Sequence, residues 1–228
     1  MNTKKRLLLS TRFVLFMIVL LSTNVGAHSQ EMDENGPQEW KQIRQKEGIT
    51  VFTRSNPGMD FKEFRSSMII KGTLDQFLSV LYDIEGLSSW GYNVKSASLI
   101  RREGDTVQVY YTEAKAPFPY KNRDGVYLNN FRWNAEERTL RVEIKMPEGL
   151  IPVKENLVRM EGYGSWVVRE KDNEELEITF QMQMDPGGNI PAWMANMFAG
   201  DTPYHTLQGL REAMGEEKYQ GKSYDFIR

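Results

Sequence analysis

His28 and His205 are the only imidazoles in this chain, and neither sits in a pattern that builds a catalytic centre. A histidine acts as a general base only when a second group orients it. His205 follows Thr202-Pro203-Tyr204 on a stretch with helical apolar spacing and reads as a helix-surface residue. No pair of histidines has zinc-ligand spacing, and there is no His-Glu-x-x-His helix. Gly162-Tyr163-Gly164-Ser165-Trp166 has the wrong spacing for a Gly-x-Ser-x-Gly elbow and lies within a strand pattern. Neither a phosphate-binding Gly-rich loop with Lys nor a dinucleotide fingerprint occurs. The sequence therefore assigns no catalytic residue, no metal ligand and no cofactor.

Carboxylates are plentiful. Glu143, Glu175 and Glu177 alternate with apolar neighbours and read as solvent-facing. Glu113 and Glu161 are open, because strand register alone does not assign their faces. A buried carboxylate there would need a partner such as Arg65 or Arg132. Such a pair could anchor a polar ligand head or serve as a structural ion pair. Arg101-Arg102 reads as solvated strand-end charge. The formal net charge of −2, with no basic cluster, makes a poor nucleic-acid binder. With no cysteine in the chain, neither a disulfide framework nor lipid attachment at a thiol is available.

Lys4, Lys5, Arg6 and Arg12, the apolar run Phe13–Leu21 and the small residues Val25-Gly26-Ala27 have the order of an export signal, so residues 1–27 are expected to be cleaved. The apolar run falls short of the about 20 residues that span a bilayer. An uncleaved anchor is the alternative. Residues 28–36 are expected as a flexible N-terminus, 37–216 as one domain and 217–228 as a C-terminal tail. The exported chain would be periplasmic or extracellular.

The elements follow from apolar period. Gln38–Lys46 predicts a short helix closed by Gly48, with Trp40 and Ile43 inward. Ile49–Arg54 and Phe61–Lys71 predict strands around Asn56-Pro57-Gly58. Thr73 caps a helix to Tyr82 whose inner face is Leu74, Phe77, Leu78 and Leu81. Six strands follow, near Val94–Arg102, Thr106–Glu113, Gly125–Trp133, Thr139–Met146, Leu157–Arg169 and Glu175–Met184. In the last, Leu176, Ile178, Phe180, Met182 and Met184 alternate with polar residues, giving one buried and one wet face. After Asp185-Pro186-Gly187-Gly188 comes a long helix. Its apolar stripe is Ile190, Trp193, Met194, Met197, Phe198, Leu207, Leu210 and Met214. This order predicts an α+β fold: a curved antiparallel β-sheet wrapped around the long C-terminal helix, with a cavity between them.

Three segments resemble the START domain family, of the helix-grip superfamily: Pro117-Phe118-Pro119-Tyr120-Lys121-Asn122-Arg123-Asp124-Gly125-Val126-Tyr127, the earlier Leu87-Ser88-Ser89-Trp90, and Asp185 through Trp193 to Leu210-Arg211 with its internal Pro. The resemblance covers roughly residues 38–214. It departs at Gly125, where the family commonly has an aromatic, and the charged pair of sterol-specific members has no match.

The resemblance implies an internal hydrophobic tunnel for one lipid or other apolar molecule, with Tyr111, Phe180, Met182 and Met184 as lining candidates. It places the mouth at residues 146–152, so that Leu150 and Ile151 form a gate against Trp193, Met194, Met197 and Phe198. Transient membrane contact through these residues is expected. Arg123 and Asp124 are expected to be structural, since an Asp before Gly can pin the turn into the next strand. The functions that compete are a non-catalytic carrier or sensor of an apolar ligand, a helix-grip enzyme of cyclase or hydrolase type, and an envelope interaction protein with a filled cavity. Oligomeric state is not legible.

Overall fold

The structure is a computed structural model that describes residues 38–228, apart from the side chains of Met197 and Phe198. The expected leader and flexible N-terminus lie outside the described residues. Ten strands form one sheet: β1 (Lys41–Lys46), β2 (Ile49–Arg54), β3 (Glu63–Lys71), β4 (Val94–Glu103), β5 (Val107–Ala114), β6 (Arg123–Asn134), β7 (Thr139–Lys145), β8 (Val158–Arg159), β9 (Glu161–Glu170) and β10 (Glu175–Asp185). The spatial order is β1-β2-β3-β10-β9-β7-β6-β5-β4, and the two-residue β8 pairs with β6. Every ladder is antiparallel except β6–β8. Three helices complete the fold: α1 (Leu74–Tyr82), α2 (Leu87–Trp90) and α3 (Ala192–Met214).

The long-range ladder is β3–β10, with Leu176 opposite Ile70 and Met182 opposite Phe64. It joins the N-terminal hairpins to the rest of the sheet. One face of it carries Met68, Leu176, Ile178, Phe180 and Met182, all buried, and α1 and α3 cover that core with Phe77, Leu78, Leu207, Leu210 and Met214. Thr73 caps α1 as expected. Its side chain accepts from the Gln76 amide while Gln76 reaches back to the Thr73 amide, a complete capping box. Gly209 lets α3 approach α2, because a Cβ there would lie 2.1 Å from the Trp90 carbonyl oxygen.

Four expectations are corrected. Gln38–Lys46 is not a helix. Its end pairs Lys46 with Ile49, and Glu47 and Gly48 take φ of 52° and 73°. Two left-handed residues between paired strands are a tight hairpin turn, and Gly48 serves that turn instead of a helix end. Trp40 is therefore not a core residue; the guanidinium groups of Arg54 and Arg65 each lie 4.5 Å from its ring. Ile43, expected inward, is 45% exposed.

The stripe on α3 is broken at its start. Ala195 and Ala199, one turn apart, face the interior, and Trp193 is two positions from Ala195, so the 100° per residue of a helix turns it outward. The supposedly wet face of β10 buries Gln183, which donates to the Phe61 carbonyl (2.8 Å) and accepts from Asn56 (2.9 Å). Residues 217–228 are not a loose tail, for Tyr219 and Ile227 are buried in the core. The Tyr219 hydroxyl donates to Asp83 at 2.7 Å, and the Tyr224 amide donates to Asp75 at 2.9 Å.

Candidate functional site

Between the sheet and α3 lies a cavity of about 290 Å³. Alternation along the strands decides its walls. On β5, Tyr110, Thr112 and Ala114 point in; on β6, Arg123, Tyr127 and Asn129; on β10, Phe180, Met182 and Met184. Trp166 on β9 stacks on Phe180 with ring centroids 4.0 Å apart, and Tyr110 stacks on Tyr127 at 5.1 Å. α3 contributes the small side chains Ala195 and Ala199. That leaves space where a large side chain would fill the fold. Loss of hydration raises the Tyr127 hydroxyl to about 12, so this phenol is a neutral donor at ordinary pH.

The inferred lining divides. Phe180, Met182 and Met184 line the cavity. Tyr111 does not; it points through the other face of β5, where its hydroxyl donates to Asp124 Oδ2 at 3.1 Å. Leu150, Ile151, Trp193 and Met194 do not line it either, and the side chains of Met197 and Phe198 lie outside the described residues. The loop that carries Leu150 and Ile151 is held by one residue. The Ile151 carbonyl accepts from both Nη1 and Nη2 of Arg159 (3.2 Å each), and Arg159 is held by Asp124. Asp124 faces away from its neighbour Arg123, and the Leu150–Ile151 loop is tied to it through Arg159.

Arg123 and Asp124 are not partners of each other, because successive strand residues face opposite ways. Asp124 is fully buried and accepts from Arg159 Nε (2.9 Å) and Nη2 (3.1 Å). Burial alone would raise its carboxyl. The bonds from Arg159 and Tyr111 outweigh that and hold it below the usual carboxylate range. Arg123 is 5% exposed and lines the cavity. Its Nε donates to the Pro186 carbonyl (3.2 Å), Nη2 to the Gly187 carbonyl (3.3 Å), and Nη1 to the Lys121 carbonyl. It thereby fixes the turn that launches α3. Val158 packs against the same turn, where Cβ atoms on Gly187 and Gly188 would meet its methyl groups at 3.0 and 3.2 Å.

The other acid–base candidates are spent elsewhere. His205 Nδ1 donates to Gln208 Oε1 (2.8 Å), and the ring stacks on Tyr92 at 4.8 Å. Glu113 pairs with Lys95 (2.7 Å), Glu161 is exposed, and Arg132 pairs with Glu143 (3.4 Å). The buried carboxylate that sequence reasoning missed is Glu63, paired with Arg54 at 2.6 Å and with Asn56 and Gln181. It follows Lys62 at the start of β3, with no alternation to mark it. Trp90, Tyr110 and Trp166 also escaped notice as lining. Of these, Trp90 had a signal in its motif.

The model of the START domain family matches residues 23–219. The chain belongs to the START domain family. An uncharacterised protein of Pseudomonas aeruginosa is 29% identical over 203 residues, 89% of this chain and 98% of its own. Mouse phosphatidylcholine transfer protein is 29% identical over 182 residues, 77% of this chain and 83% of its own. Among solved structures, a STAR-related lipid transfer protein fragment from Xanthomonas axonopodis superposes with a TM-score of 0.73 at 30% identity, covering 78% of this chain and all of that one. The START fold thus agrees with the helix-grip reading: a curved antiparallel sheet closed by its C-terminal helix.

Proposed function

We propose that this START domain binds a single lipid or other apolar molecule and carries it between surfaces, without catalysing a reaction on it. The observation that carries this reading is the cavity under α3, walled by Phe64, Trp166, Phe180, Met182, Ile144 and Met160. Large apolar walls with a few polar groups suit an apolar ligand with one oriented head. The names of the mouse and Xanthomonas relatives, both lipid transfer proteins, support the same class. His205 and the pairs around Glu63 and Asp124 lie outside the cavity lining, and the one carboxylate of the lining, Asp83, is taken up by Tyr219, Gly86 and Lys218, which supports a non-catalytic reading. Native mass spectrometry of protein purified from its source cells tests the proposal. A bound apolar mass is expected. An empty protein that also takes nothing from lipid vesicles would leave the reading of a filled-cavity interaction protein, and chemical conversion of a bound compound would revive an enzyme.

The ligand enters beside Phe118 and Trp193. Phe118 is 97% exposed between two prolines in the β5–β6 loop, next to the lining residue Pro117. Trp193 is 63% exposed on the first turn of α3, next to the lining residue Ala195. Two large aromatics left bare close in sequence to lining residues fit a membrane interface better than water. Each contributes to docking on the order of 1 kcal/mol or more. Phe118→Asp with Trp193→Asp is expected to slow vesicle-to-protein transfer of a fluorescent lipid at least about tenfold, with an unchanged circular dichroism spectrum. Equal rates would place the entrance elsewhere.

The carrier works outside the cytoplasm. Its basic start, apolar run and Val25-Gly26-Ala27 support cleavage after Ala27. Intact-mass analysis of periplasmic and secreted material is expected to find a chain beginning at His28. Full-length chain retained in membranes would overturn export by cleavage.

A further inference from the structure

We infer that the mouth of the cavity is an anion subsite, so that the ligand is an amphiphile with a phosphate or carboxylate head; this rests on the lipid-carrying reading above. The ionisable side chains of the lining, tyrosines aside, are Lys62, Asp83, Lys115 and Arg123. Asp83 is already satisfied. It accepts from the Tyr219 hydroxyl (2.7 Å), the Gly86 amide (3.0 Å) and Lys218 Nζ (3.4 Å). None of the three cations has a carboxylate at ion-pair distance among the described residues. The lining therefore carries three cations that no carboxylate among the described residues pairs with.

Arg123 is the decisive member. An arginine stays protonated in a protein and offers five N–H donors. Here the three recorded bonds all go to carbonyl oxygens, which are dipoles and not counter-charges. The carboxylate next to it, Asp124, is committed to Arg159 on the other face. A nearly buried cation without a counter-ion is unfavourable, and an anionic head group in the cavity mouth would offset that cost. The sheet register then adds Lys115, because Ala114 pairs with Arg123 and Lys115 follows directly. Lys62 joins from the β2–β3 segment, whose backbone amide donates to Asn196 of α3 at 2.9 Å. Both lysines are exposed, so they attract an anion from solution while Arg123 meets it as it is desolvated. The interior beyond them is apolar and holds the chain.

The test removes membranes from the comparison. The chain from His28 is loaded with the neutral fluorophore N-phenyl-1-naphthylamine, and displacement is read for dodecyl phosphate, dodecanoate, dodecanol and inorganic phosphate. The expected order is dodecyl phosphate and dodecanoate tighter than dodecanol by about tenfold or more, with inorganic phosphate ineffective even as a competitor. Arg123→Gln is expected to erase the preference. Should that variant fail to fold, Lys62→Gln with Lys115→Gln changes only exposed side chains and should cut the preference to about threefold or less. Equal affinity of wild-type protein for dodecanol and dodecyl phosphate overturns the anion subsite and leaves the lipid carrier standing. Failure of every amphiphile and of the fluorophore to bind overturns the carrier itself. Competition by inorganic phosphate at the same concentration as dodecyl phosphate assigns the site to free anions and overturns the head-group assignment.

Discussion

Ala199→Trp is expected to empty the protein of lipid while leaving it folded. Ala199 is 9% exposed and faces the cavity from α3, opposite the sheet wall of Trp166, Phe180 and Met182. In an ordinary core, a side chain that buries about 150–250 Å² would not fit, and overpacking costs about 1–3 kcal/mol. Here the indole would enter space that the fold leaves open, so the fold absorbs it and the ligand loses its room. Lipid taken up from vesicles should fall at least about tenfold, while the far-ultraviolet dichroism stays unchanged. Leu150→Asp with Ile151→Asp serves as the control. That loop is tied to Arg159 and contributes nothing to the lining, so uptake by this variant should match wild type. Full lipid loading of folded Ala199→Trp would show that the cavity is not where the ligand sits.

Asp124→Ala should be the most destabilising single change, costing about 3–5 kcal/mol. It leaves Arg159, 13% exposed at its side chain, without the carboxylate that receives two of its N–H groups. It also frees the Tyr111 hydroxyl. Exchanging both charged partners for apolar residues of similar size, Asp124→Leu with Arg159→Met, should recover much of that loss. Denaturant unfolding at neutral pH measures both variants; a loss below about 1 kcal/mol for Asp124→Ala would reduce the pair to a surface contact.

The same pair sets a pH dependence. The folded protein holds the Asp124 carboxyl below its usual value, so the unfolded chain takes up its proton first as pH falls. The stabilisation is fully present above the unfolded value of about 3.9 and is lost as pH drops through the lower, folded value. Glu63 and Asp83, also held low by their hydrogen bonds, act in the same direction. Stability should therefore decline steeply below about pH 4, and less steeply in the Asp124→Leu/Arg159→Met variant, which lacks one of the three carboxylates. Parallel slopes in the two proteins would remove Asp124 from the acid response.

Period and punctuation in the sequence determined the element order and the fold class. Leu74, Phe77, Leu78 and Leu81 after Thr73 marked α1 because a helix needs one continuous apolar side and a cap for its first amides. Strict alternation from Leu176 to Met184 marked β10, and the inward side of that strand was legible in Phe180 and Met182. These are local relations, settled by residues within a turn or two of one another. Gln38–Lys46 shows the limit. Its apolar positions and Gly48 read as a short helix, and pairing with β2 through Glu47-Gly48 made it a strand.

What only the tertiary structure decided is which side chain meets which across the sheet. Arg123 and Asp124 stood out together in one motif, yet the pleat sends them to opposite faces. One goes to the cavity and the turn before α3, the other to Arg159, 35 residues away. Leu150 and Ile151 had the composition of a gate, yet they are not among the residues that line the cavity, and their loop offers the Ile151 carbonyl to Arg159. Lys62 and Lys115 carried no local signal, since a lone lysine in a loop is ordinary, and they came to line one cavity only through the tertiary fold. Apolar spacing says that a face is buried. The partner on that face is chosen by strand register and loop closure, which depend on residues far away in the chain.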